Sequence, residues 1–153
     1  MNERVPVAVL VPLRLLVGAI LLLSGYMKFT NGWLHGDALL KTLNLWTEGQ
    51  KTYPFFIPVI ETARAHPKIF GTLITMGELV VGASMILGLL TRLFAVLGTL
   101  MVFSFALGGG QGLTPPGNAL LTAAILFTFI LAPPGRALGL DQALRAKLPR
   151  WLA

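Results

Sequence analysis

Residues 6–28, PVAVLVPLRLLVGAILLLSGYMK, and 69–90, IFGTLITMGELVVGASMILGLL, constrain this chain more than any other feature. Each run matches the ~20 apolar residues that cross a bilayer. In hydrocarbon the backbone must satisfy its own hydrogen bonds, and long apolar runs without alternation do so as helices. Each run holds one charge at depth, Arg14 in the first and Glu78 in the second. Two shorter runs follow, at 93–107 and 117–132. They can span by recruiting flanking Gly and Pro residues or by thinning the bilayer locally.

Composition agrees with a membrane solvent. Only 12% of the residues are charged, 55% are apolar and mean hydropathy is +0.77. A water-facing surface needs roughly a quarter charged residues. The net charge of +6 sits in loops and near the C-terminus, without nucleic-acid motifs, so nucleic acid is not an expected partner. Membrane lipid is. There is no cysteine, which excludes disulfides, thiol redox chemistry and iron–sulfur clusters. His35 and His66 both lie outside the apolar runs, which excludes an intramembrane bis-His haem. Glu78 is the only acid at depth, too few for a hard metal ion. The chain is expected to hold neither haem nor metal, so a diffusible or partner-held cofactor must carry any electrons.

The fold expected is all-α, one domain over 1–153. It is an integral membrane four-helix bundle with spans at about 6–28, 69–90, 93–107 and 117–132. Arg14 and the lack of an A-x-A-like site make the first run a retained span rather than a signal peptide. Residues 30–67 form an extramembrane lid between helices one and two. Within it WLHGDALLKTLNLWTEG reads as an amphipathic helix capped by Asp37, with Leu39, Leu43 and Trp46 on one face. The LTRL turn at 90–93 makes helices two and three an antiparallel hairpin. Residues 137–150 read as an interfacial helix, Leu140, Leu144 and Leu148 towards lipid. Asn118, after Pro115 and Pro116, reads as an N-cap of helix four. Six cations fall on the side of the termini and five on the lid side, which favours cytoplasmic termini in a multi-pass protein.

Helix one aligns on helix two without gaps: RLLVGAILLLSGYMK (14–28) on ELVVGASMILGLLTR (78–92). Each segment opens on a charge, carries a glycine one turn later and closes on a cation, Lys28 or Arg92. Positions 78, 82, 85, 89 and 92 share one helical face, as do 14, 18, 21, 25 and 28. Gly18 and Gly82 should therefore allow close backbone approach. Arg14 and Glu78 become candidate partners. Counting depth from Pro6 and Pro67 brings them within ~2–3 Å of one level, whereas counting from Lys28 and Arg92 separates them by ~12 Å. The first count gives a direct ion pair, and the second leaves room for water or a ligand.

RLLVGAILLLSGYMKF, GELVVGASMILGLLTRLFAVLG and GRALGLDQAL resemble the DoxX/DoxD family of small bacterial four-helix membrane proteins. The WTEG…YPFFIPV…HPKIF stretch resembles the DoxD-type, thiosulfate–quinone oxidoreductase subgroup. The resemblance implies a bacterial or archaeal cytoplasmic membrane and association with a quinone-linked oxidoreductase. Carried over by motif, the charged positions are Arg14, Lys28, Glu78 and Arg92.

The expected function is a membrane subunit of such an oxidoreductase, with a second subunit as partner and quinone as cofactor. Arg14 would donate to a quinone oxygen and Glu78 would exchange protons, giving Arg14 and Glu78 the catalytic roles. Tyr26, Trp46 and Tyr53 would line the quinone slot with them, although interface anchoring is the simpler use of such aromatics. The alternatives are a non-enzymatic anchor or assembly subunit, in which the charges only pin helices, and a small transporter or lipid-binding protein with polar contacts at Gln111 and Asn118. The oligomeric state stays open, a homo-oligomer included.

Overall fold

The structure is a computed structural model that describes residues 7–49, 52–109, 119–144, 147 and 149. All regular structure among them is helical. The α-helices are α1 (Val11–Thr30), α2 (Asp37–Glu48), α3 (Ile57–Ala65), α4 (Pro67–Leu87), α5 (Thr91–Gly109), α6 (Ala119–Leu131) and α7 (Leu140–Ala143). Short 3-10 turns occupy Val7–Leu10, Trp33–His35, Pro54–Phe56 and Pro134–Arg136. Among the described residues, three helical stretches are long and apolar enough to cross a membrane: Val7–Thr30, Pro67–Leu87 and Thr91–Gly109. The outward side chains of such helices meet lipid. The third begins two residues before the run at 93–107 because Thr91 opens its first turn. The fourth apolar helix has 13 described residues.

α1 and α4 are the most closely packed pair, and they run antiparallel. Lipid gives apolar side chains no hydrophobic reason to leave it, so close helix contact depends on small residues. Gly18 and Gly82 provide it. A Cβ on Gly82 would lie 2.7 Å from the Leu22 nitrogen and 2.9 Å from the Gly18 carbonyl oxygen. A Cβ on Gly25 would lie 2.9 Å from the Leu79 side chain. Gly98 does the same where α5 meets Val81 of α4 and Leu126 of α6. The buried core joins all four helices through Val17, Leu21, Val81, Met85, Val102 and Phe129, among others.

A second core lies under α2 and α3. Leu39, Leu43, Ile60 and Ala63 are buried there against Trp33, Trp46 and Phe70. The face expected on α2 is the one it buries. Its start differs from expectation: Asp37 is the first helical residue and makes no capping bond, and Gly36 stands before it at φ +91°. Only glycine adopts that backbone cheaply. A Cβ at Gly71 of α4 would collide with the Trp33 carbonyl, so the Trp33–His35 turn rests directly on α4.

The C-terminal segment departs from expectation. Among the described residues it has one short helix, Leu140–Ala143, and Asp141 in it is fully buried. Leu148 and Asn118 lie outside the described residues. Asp141 is held by the turn between α4 and α5, where Gly88 ends α4 in the left-handed region. Its carboxylate accepts from the Leu90 N–H (2.6 Å), the Thr91 N–H (2.9 Å) and the Thr91 hydroxyl (2.6 Å). A carboxylate from far along the chain thus caps α5 and satisfies orphan donors of its first turn.

Candidate functional site

Arg14 and Glu78 do not pair. Glu78 is ion-paired with Lys28: both its oxygens accept from the Lys28 ammonium, at 2.8 and 2.7 Å. Arg14 donates instead to the Leu138 carbonyl (2.6 Å) and the Pro134 carbonyl (3.5 Å) of the C-terminal segment, near Asp141. The reason is the direction of the helices. In an antiparallel pair, equal positions of two aligned segments meet only near the middle, and the first position of one meets the last of the other. Gly25 packs on Leu79, which sets Arg14 eleven residues, or roughly 16 Å, along α1 from the level of Glu78. The depth count taken from Lys28 and Arg92 is the one the structure supports.

Two polar centres result. The Arg14 centre is closed. Gly88, Gly135 and Gly139 surround it so tightly that a Cβ on Gly139 would lie 2.9 Å from the guanidinium and 2.8 Å from the Gly88 carbonyl oxygen. It fastens the C-terminal segment to α1 and to the α4–α5 turn. The Lys28 centre is open on one side. Lys28 stands in the last turn of α1, where a cation suits the helix dipole. Its third hydrogen bond goes to Ser24 Oγ at 2.7 Å, so all three ammonium protons are used. Its Nζ also lies 5.2 Å from the Trp33 ring centroid and 5.6 Å from that of Phe105. Such placement over aromatic faces adds to the stabilisation of the cation. The side chains of Lys28 and Glu78 are 17% and 3% exposed.

That open side faces a cavity of about 620 Å³, within the range of small-molecule sites. Lys28, Glu78 and Ser24 form its polar end, with Trp33, Thr42 and Trp46 above them. Apart from Thr122 on α6 the rest is apolar, and it runs between α1 and α6, past Val17, Leu21, Val102 and Ile125. Trp46 is fixed by α5: a Cβ on Gly108 would lie 2.6 Å from its ring, and Phe105 packs against it at 6.5 Å between centroids. Thr52 ties the chain beyond α2 to the same helix end by donating to the Gly108 carbonyl at 2.7 Å.

Of the residues expected to form one site, the cavity brings together Glu78 and Trp46. Arg14 belongs to the other centre. Tyr26 is 61% exposed on α1 and does not line the cavity, and Tyr53 stacks on Phe55 at the surface. Ser24, Trp33 and Phe105 join the site without having been expected there, whereas Lys28 was among the charged positions that the family resemblance carried over. Lys28 was visible as the closing cation of the first aligned segment. The others had no signal in sequence, since their relation to Glu78 is purely spatial.

Fold and site together define a small α-helical membrane protein with a buried ion pair at the end of an apolar cavity. The DoxX family model matches residues 9–109, and the chain belongs to the DoxX family. The matched stretch contains Arg14, Lys28 and Glu78 and ends before α6. No curated protein and no solved structure matches the chain.

Proposed function

We propose that this chain is the membrane subunit of a quinone-linked oxidoreductase, DoxD-like in type, and that it holds the quinone ring beside Lys28 and Glu78. The observation that carries this reading is the Lys28–Glu78 pair at the polar end of an otherwise apolar cavity. A quinone needs a donor for its carbonyl oxygen, an acceptor for the hydroxyl it becomes, and apolar or aromatic walls. Lys28 is the donor. Its protons are all in use, so a ring carbonyl takes the place of one of its two carboxylate contacts. The released Glu78 oxygen can then accept from a ring hydroxyl. Trp33, Trp46 and Phe105 close around the ring. Electrons come from a partner subunit, because this chain has no cysteine and no histidine at membrane depth.

In this reading α6 is the fourth span and α2 and α3 cover the polar end of the cavity. The termini face the cytoplasm of a bacterial or archaeal cell. Arg14 is structural. Thiosulfate or another reduced sulfur compound would be oxidised by the partner.

Quinone titration into the purified protein in nanodiscs, with mass spectrometry of what it retains, tests the reading. The Lys28→Met/Glu78→Met double variant removes the pair without stranding a charge. It should bind quinone at least about tenfold more weakly than wild type. A wild-type protein that neither retains nor binds quinone sinks the proposal. A folded double variant with unchanged quinone binding and an active complex would favour the anchor role.

A further inference from the structure

The cavity is longer than a ring requires. Its lining on α1 runs from Leu16 to Lys28, twelve residues or about 18 Å. All the charge is at the Lys28 end, two residues before α1 finishes. From there the lining is Ser24, Leu21, Ile20, Val17 and Leu16, turning apolar towards the middle of the helix. α6 lines the slot from Ala119 to Ile125, with the uncharged Thr122 as its one polar side chain there.

The slot is also open sideways. α1 packs on α4 and α6 packs on α5, and the cavity separates α1 from α6. Its inner wall is buried: Val17 is 2% exposed and Leu21 3%. Its lips are not. Leu16 is 56% exposed and Ile20 49% on α1, and Leu121 is 53% exposed on α6. These lips belong to helices whose outward faces are apolar, so the opening faces lipid, not water.

We infer that the seam between α1 and α6 is a lateral port through which the ligand enters from the bilayer and in which its long apolar tail stays. The ligand is then a membrane-resident amphiphile, with its polar group at the interface end and its tail towards the bilayer centre. That is the orientation such a molecule already has in one leaflet, so it enters without turning over and without exposing its tail to water. The ring assignment rests on the function proposed above. The port rests on the shape and polarity of the slot.

Ile20→Trp and Leu121→Trp would each fill a lip without touching Lys28 or Glu78. Leu100→Trp, on the 65%-exposed outward face of α5, serves as the control. The probes are a benzoquinone with an eight-isoprene tail and the same ring with a methyl group in place of the tail. Each lip variant should weaken the tailed probe by at least about tenfold, the effect of overpacking a filled seam. It should change the tail-less probe by less than about threefold, and the control should change neither. Lip variants that bind the tailed probe like wild type overturn the port. If wild type binds neither ring but retains phospholipid that both lip variants lose on detergent exchange, the port stands and the quinone reading fails. If wild type retains no tailed molecule of any kind, the port fails as well.

Discussion

The pairing of Glu78 with Lys28 rather than Arg14 can be measured by two double-mutant cycles. Lys28→Met leaves the Glu78 carboxylate, 3% exposed, with no cation. Breaking a buried pair from one side costs about 3–5 kcal/mol. Glu78→Met leaves Lys28, which is 17% exposed and can extend its ammonium towards the interface. That loss should be smaller, about 1–3 kcal/mol. Removing both returns stability to near wild type, because two apolar side chains of similar length then meet in an apolar seam. With the double variant near wild type, the coupling equals the sum of the two single losses, about 4–8 kcal/mol, above the roughly 0.5–3 kcal/mol that touching residues usually show. The second cycle uses Arg14→Leu and Glu78→Leu. These sites share no partner and stand roughly 16 Å apart along α1, so their coupling should stay under about 0.5 kcal/mol. Reversible unfolding in mixed micelles with increasing SDS reads both cycles. A Lys28–Glu78 coupling below about 0.5 kcal/mol, or an Arg14–Glu78 coupling above about 1 kcal/mol, would refute the assignment.

Two further outcomes follow from the packing. Gly82→Leu places a Cβ against the α1 backbone at Leu22 and Gly18, which cannot move aside as a side chain could, so α1 and α4 must separate. The cost is about 1–3 kcal/mol, read as a lower SDS midpoint, whereas Leu87→Ala on the exposed face of α4 should change little. Asp141→Ala removes the carboxylate that accepts from Leu90 and Thr91 and leaves Arg14 without its nearby charge. Stability should fall by about 1–2 kcal/mol, and hydrogen exchange at the Leu90 and Thr91 amides should rise; unchanged exchange there would mean the cap does not form.

The sequence alone determined that this chain is helical and suited to a membrane, because in a bilayer runs of this length and apolarity satisfy their backbone hydrogen bonds as helices, and too few charges remain to cover a water-facing surface. It also determined that α1 and α4 approach through Gly18 and Gly82, since helical periodicity puts each glycine on the face of the charge near it. The amphipathic face of α2 was legible for the same reason. Periodicity gives the face a residue occupies but not the level at which two helices meet. The Arg14–Glu78 pairing depended on that level, and the α1–α4 register decided it by bringing Lys28 to Glu78. Asp141 gave no signal, because its partners at Leu90 and Thr91 are about 50 residues away and joined to it only by the return of the chain. The cavity was the least legible feature. It exists because α1 leans on α4 and α6 on α5, and a gap between helices belongs to no single stretch of sequence.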